Sequence, residues 1–197
     1  MMRTFEKFRA IRILDTTVDM VQMPEVMALM AHWIKSEPHT LHHVVNTGMH
    51  GIMEAHKNPA FAAVLDSADL LAPDGILAIL VARIHGYHIR KRETGPGLLW
   101  RFSEAANLKG YKYFFYGDTA ETLALLSAKL TKEFPDLKIV GCQSPPFRDL
   151  TPEEDAAMVA SINEATPDVL WIGLGMPKQE QWIFEHREAL NVPVVVG

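Results

Sequence analysis

Three segments of this sequence carry side chains whose type and spacing could do chemistry. The first is Pro73-Asp74-Gly75, a carboxylate set between an apolar run ending at Ala72 and a second run, Ile76-Leu-Ala-Ile-Leu-Val81. A carboxylate so placed can take a proton as a general base. It can equally cap the helix that the second run predicts, and spacing alone leaves both readings open. The second segment is Gly173-Leu-Gly-Met-Pro-Lys-Gln-Glu180, which reads as a strand end, a glycine turn, and a helix whose first turn carries Pro177, Lys178, Gln179 and Glu180. Gly173 and Gly175 would let a ligand approach the backbone, although a plain connection with solvated polar residues reads the same way. The segment lacks the third glycine of a dinucleotide loop and the Gly-Lys-Ser/Thr ending of a P-loop, which disfavours NAD and ATP. The third is His88-Ile-Arg-Lys-Arg-Glu93, three cations shortly before Thr94-Gly95-Pro96-Gly97. A solvated loop is the commoner meaning of such a run. Arg92 is nevertheless a candidate phosphate ligand, because guanidinium binds phosphate bidentately.

Other chemistries find less support. The nine histidines show no zincin spacing, and Asp66 and Asp69 are separated by two residues rather than the single residue of an Asp-x-Asp metal signature. No catalytic metal and no cofactor are therefore expected. Cys142 is the single cysteine, so no internal disulfide can form, which fits a reducing compartment. A net charge of −5 does not attract nucleic acid. The start of the chain lacks the apolar stretch of a signal peptide, and no run reaches the roughly 18 apolar residues of a membrane span. A cytoplasmic protein is expected.

These groups must be held by elements that the hydrophobic pattern outlines. Short apolar runs ending in Gly, Asp or Asn alternate with stretches of helical period, the pattern of βα units. Strands are expected near Ile11–Leu14, Leu41–Val45, Leu70–Ala72, Tyr113–Tyr116, Lys138–Gly141, Val169–Leu174 and Val192–Val196. One helix runs from Pro24 towards Lys35, and Thr151-Pro-Glu-Glu154 reads as an N-cap, a first-turn proline and a capping-box glutamate. Further helices follow Thr119 and Pro177. No repeat or linker divides the chain, so residues 1–197 are expected to form a single α/β domain, a Rossmann-like and mostly parallel sheet flanked by helices. In such sheets ligands bind beyond the carboxyl ends of the strands. That position selects Asn46-Thr47-Gly48, Pro73-Asp74-Gly75, Gly117-Asp118, Gly141-Cys142 and the run from Gly173 through Gly175, Pro177, Lys178 and Gln179 to Glu180.

Taken in order, Leu71-Ala-Pro-Asp-Gly75, Arg92-Glu-Thr-Gly95, Phe114-Phe-Tyr-Gly117, Phe134-Pro-Asp-Leu-Lys-Ile-Val-Gly141 and Pro167-Asp-Val-Leu-Trp-Ile-Gly-Leu-Gly-Met-Pro-Lys-Gln-Glu180 resemble the WecG/TagA/CpsF family. The resemblance covers nearly the whole chain, and Gly-Met-Pro-Lys-Gln-Glu followed by Gln181-Trp182 is its most specific part. It implies a bacterial surface-polysaccharide glycosyltransferase that moves a sugar from a UDP-sugar donor to a lipid-diphosphate-linked sugar acceptor, inverting the anomeric centre without a metal. It further implies Asp74 as catalytic base, Arg92 near the phosphates or acceptor, and Gln179 and Glu180 at the donor. Asn46 and Thr47 fall where relatives have a Thr-x-x-Asn-like segment that Gly48 and Met49 do not reproduce. Gly97 stands where relatives often have an acid, and Ser144-Pro-Pro-Phe147 where they favour Gly-Tyr-Phe. Relatives also continue beyond the position of Gly197 into a basic, aromatic tail. The resemblance thus implies a tail past this residue, in contact with the inner face of the cell membrane. Oligomeric state stays open, a homo-oligomer included.

Two other classes compete. An NAD-dependent oxidoreductase would need a glycine-rich turn after the first strand, where Asp15-Thr16-Thr17-Val18 stands instead. A non-catalytic nucleotide-binding module would use the same fold, and turnover of a UDP-sugar with acceptor present separates it from an enzyme.

Overall fold

A computed structural model describes residues 10–84, 86–87 and 94–197. Its centre is a six-stranded sheet built from β3 (His42–Thr47), β4 (Leu70–Pro73), β5 (Lys112–Gly117), β6 (Lys138–Gln143), β7 (Val169–Gly173) and β8 (Val194–Val196), in the order β4-β3-β8-β7-β5-β6. Every pairing is parallel. Parallel strands buried on both faces need apolar side chains on both, and Val44-Val45, Val169 to Ile172 and Val194 to Val196 supply them.

Helices cover the two faces. On one, α1 (Met23–Ser36), α5 (Gly95–Lys109) and α6 (Ala120–Glu133) pack over Val44, Phe115, Trp171 and Val196. On the other, α2 (Met49–Lys57) and α3 (Pro59–Asp66) cover Val45 and Leu71, while α7 (Pro152–Ala165) and α8 (Lys178–His186) cover Phe114, Tyr116, Leu170 and Ile172. The helix α4 (Gly75–Ile84) follows β4 directly. Helix starts follow the local chemistry. Thr151 and Glu154 form the expected capping box on α7, Thr119 caps α6 through the Thr122 amide, and Thr94 caps α5 through Gly97.

The first expected strand forms, but outside the parallel sheet. Residues 10–13 form β1 (Ala10–Ile13), which pairs antiparallel with β2 (Thr16–Asp19) in a hairpin outside the parallel sheet. The hairpin turns at Leu14, whose φ of 53° is unusual for leucine, and lies against β4, where Asp19 accepts from the Leu71 amide at 2.9 Å. It thereby shields a sheet edge whose backbone groups would otherwise face solvent. The last strand begins at Val194 rather than Val192, because Pro193 has no N–H for a ladder.

The strand order fixes where a ligand can enter. From β5 the chain leaves through α6 towards the β6 edge, whereas from β7 it leaves through α8 in the opposite direction towards β8. The adjacent strands β5 and β7 therefore form a topological switch point, where the connecting segments part and leave a crevice.

Candidate active site

The crevice is held open by glycine. Gly117 at the end of β5 pairs with Gly173 at the end of β7, and the Asp118 amide donates to the Gly173 carbonyl at 2.9 Å. A Cβ on Gly117 would lie 2.4 Å from that carbonyl oxygen, and its φ is +123°. Only glycine brings the two backbones this close in this conformation. Beyond the pair the chain turns into α6, where the Asp118 carboxylate accepts from the Thr119 amide at 2.6 Å.

A cleft of about 440 Å³ opens here, on the face carrying α5 and α6. Its walls are apolar, from Leu99, Phe115, Leu123, Leu126 and Trp171, and its polar groups come from Asn46, Asp74, Asp118, Thr122 and Gln179. An apolar cleft with a few convergent polar groups is the usual form of a small-molecule site. Two buried donors among its lining residues, Asn46 Nδ2 and Trp171 Nε1, have no hydrogen-bond partner among the described residues. Unpaired buried donors are uncommon, and a ligand or water in the cleft would satisfy them.

Asp74 follows β4, and its amide donates to the Thr47 carbonyl at 2.7 Å, which ties the ends of β3 and β4 together. Gly75 then turns the chain into α4 with a φ of +84°. A second cleft, of about 390 Å³, lies on the α2 face and is lined by Asn46, Asp74, Gly75, the first turn of α2 and Met176. Asn46 and Asp74 thus line both clefts.

The candidate residues separate by position. Asn46, Asp74, Gly117, Asp118 and Gln179 come together around the larger cleft, and Gly75 joins Asn46 and Asp74 at the smaller one. Thr47 is wholly buried beneath them. The run 175–180 is divided among several places. Pro177 is the N-cap of α8, Lys178 lines a third cleft with Tyr116, Arg148 and Trp182, and Glu180 is 0% exposed. Three consecutive residues in a helical first turn point about 100° apart, so they cannot share one wall. Gly175 and Glu180 instead hold Gln179: the Gly175 amide donates to Gln179 Oε1 at 3.1 Å, and Gln179 Nε2 donates to Glu180 Oε1 at 3.1 Å. Burial pushes the Glu180 carboxyl above its usual range. Arg92 lies outside the described residues. Sequence reasoning missed the apolar walls, because Phe115 and Trp171 read as core strand residues, and it missed Met49, His50, Gly51 and Met176 at the smaller cleft.

Among the described residues no group of three or more His, Cys, Asp or Glu side chains is placed to hold a metal ion. Asp74 and Asp118 end strands four steps apart in the sheet, so at about 4.8 Å per step they stand roughly 19 Å apart and cannot share one ion. Among the same residues no helix is long and apolar enough to cross a membrane.

Comparison with known proteins identifies the family. The family model described as "Glycosyl transferase WecG/TagA/CpsF family" matches residues 11–197. An N-acetylglucosaminyldiphosphoundecaprenol N-acetyl-beta-D-mannosaminyltransferase of Bacillus spizizenii is 31% identical over 144 residues, spanning 73% of this chain and 54% of the relative. Proteins of the same description from Bacillus subtilis and Staphylococcus aureus are 27% and 24% identical over 143 residues, with the same coverage. The chain spans about half the length of the curated relatives it matches. With all but its first ten residues matched by the family model, the chain belongs to the WecG/TagA/CpsF family of glycosyl transferases.

Proposed function

We propose that this protein transfers a sugar from a UDP-sugar to the sugar of a lipid-diphosphate acceptor in cell-surface polymer synthesis, by one inverting displacement that needs no metal. The observation that carries the reading is Asp74, a carboxylate at the strand ends that lines two clefts. The larger cleft suits the donor. It runs across the sheet from Asp118 to Asp74, with apolar walls for a base and Gln179 available to a polar group. The names of the relatives describe transfer of an N-acetylmannosaminyl group to an N-acetylglucosaminyl-diphospho-lipid, which supports the acceptor class.

In the displacement, the acceptor hydroxyl oxygen forms a bond to the donor's anomeric carbon and its proton passes to the Asp74 carboxylate. The bond from that carbon to the phosphate oxygen breaks, and its electron pair leaves with UDP. A positioned base contributes about a hundred- to ten-thousandfold, roughly 3 to 5 kcal/mol of barrier. The leaving diphosphate must also be stabilised. The cation Arg92 is the group proposed for this.

Calorimetric titration with UDP in the presence of EDTA tests the donor assignment. Saturable binding that is unaffected by EDTA is expected, with ADP weaker. Binding that disappears with EDTA and returns with manganese would refute metal independence, and equal binding of ADP would refute the uridine assignment.

A further inference from the structure

We infer that Trp171 recognises the base of the donor: its indole N–H donates to the O4 carbonyl of uracil and so selects uridine over cytidine diphosphates. The inference rests on the UDP-sugar reading above and adds which side chain distinguishes the nucleotide and through which atom.

Trp171 lies on β7 directly across from Phe115 on β5, and both side chains face α5 and α6. Both line the larger cleft, yet Trp171 is only 7% exposed, and its Nε1 is buried without a hydrogen-bond partner among the described residues. A buried indole N–H ordinarily finds an acceptor. The cleft wall around it is hydrocarbon, with Leu99 from α5 and Leu123 and Leu126 from α6. Behind it Tyr113 packs edge-on against the indole, ring centroids 5.6 Å apart, which fixes the ring. A single N–H in such a wall suits a flat, weakly polar group that bears a carbonyl.

In a UDP-sugar that carries an acetamido group, two parts answer that description, the base and the acetamido. The sheet separates them. β7 and β4 stand three steps apart in the order β4-β3-β8-β7, roughly 14 Å at about 4.8 Å per step. A sugar whose anomeric carbon meets Asp74 keeps its acetamido group on the β4 side. The extended ribose and diphosphate bridge the distance across the sheet and set the base beside β7. Depth agrees with this. Trp171 precedes Gly173 at the strand end by two residues, roughly 7 Å, so a group that reaches it inserts below the rim while the charged phosphates stay at the strand ends. The uracil atom farthest from the ribose is O4, and it enters first.

The rest of the base edge also finds matching groups. Asp118 and Thr122 line the same cleft at the head of α6, and either can accept from the uracil N3–H. Cytosine reverses both atoms. Its 4-amino group sets N–H against N–H at Trp171, and its N3 sets a lone pair against the Asp118 carboxylate. A buried donor left unpaired in this way disfavours the wrong base by at least about tenfold.

Calorimetry tests the assignment with UDP, CDP and the diphosphate of 2-pyrimidinone riboside, which lacks the 4-oxygen. Wild type is expected to bind UDP at least about tenfold more tightly than either of the others. Trp171→Phe keeps an aromatic ring but removes the N–H. It should weaken UDP about tenfold and leave CDP and the pyrimidinone within about twofold, with Tm close to wild type. A purely structural Trp171 would weaken all three nucleotides alike, and that result overturns the inference. Equal binding of UDP and the pyrimidinone diphosphate by wild type overturns it as well, whether or not the variant folds. Wild type that binds no UDP refutes the donor reading itself, whereas UDP binding with an unchanged UDP-to-CDP ratio in Trp171→Phe refutes only the role of Trp171.

Discussion

Replacing Gly117 with alanine tests the link between fold and site, because the structure specifies what the added methyl meets. Its Cβ would stand 2.4 Å from the Gly173 carbonyl oxygen and 2.5 Å from the carbonyl carbon, where ordinary contact begins near 3.4 Å. One backbone must therefore retreat by about 1 Å, and both belong to paired strands. The φ of +123° adds strain of about 1 to 3 kcal/mol for any residue with a Cβ. Overpacking adds a similar amount, so a loss of about 3 to 5 kcal/mol is expected. For a chain of this size that lowers Tm by roughly 10 °C. Gly173→Ala is the control, since a Cβ there meets nothing within 4 Å and Gly173 lines the cleft. It should leave stability unchanged or raise it by about 0.4 to 1 kcal/mol, yet weaken UDP binding, because the methyl occupies ligand space. Thermal unfolding and calorimetry on both variants give the result. A Gly117→Ala protein as stable as wild type, with the same UDP affinity, would refute the close-approach argument.

Two further predictions concern buried ionisable groups. His43 is wholly buried in β3, and burial pushes its pKa down from 6.5 to about 4. The native state thus binds a proton less readily than the unfolded chain, so this stabilisation is complete above pH 6.5 and is lost as pH falls towards about 4, by up to roughly 3 kcal/mol. Urea unfolding of wild type and His43→Phe across that window should show a steeper decline in wild type, and parallel curves would contradict the assignment. For Glu180 the sign is opposite. Its raised pKa favours the protonated native form, a stabilisation present below the ordinary value of 4.5 and lost as pH rises through the native pKa. Glu180→Gln should therefore lose less stability than wild type between acid and neutral pH, and an identical pH dependence would show that Glu180 does not titrate in the fold.

Much of the fold was legible because parallel strands buried on both faces are short apolar runs, which Val44-Val45, Val169 to Ile172 and Val194 to Val196 display plainly. The helix starts at Thr119 and Thr151 were legible for a related reason, since a capping side chain is a local device. The hairpin was not. Its second strand, Thr-Thr-Val-Asp, offers only four alternating residues, and its turn uses Leu14 where a glycine or asparagine would have signalled the reversal. The strand-end rule located Asn46, Asp74, Gly117 and Asp118 because it depends on position alone. It could not separate Gln179 from Lys178 and Glu180, which differ only in helical phase, nor show that Asn46 and Asp74 border two spaces, which requires the third dimension. A histidine at the start of α2 carries no spacing signal either, so His50 emerged only from the cleft it lines.

The central claim is that Asp74 is the base of a sugar transfer, and substitution by asparagine tests it most directly. Asparagine keeps the size of the side chain and caps helices about as well as aspartate, so a purely structural Asp74 would tolerate the change. The account predicts that Asp74→Asn lowers turnover of UDP-sugar onto a lipid-diphosphate acceptor by at least about a hundredfold, with UDP affinity and Tm close to wild type. Near-normal turnover in that variant would contradict it and leave Asp74 as a structural residue at the head of α4.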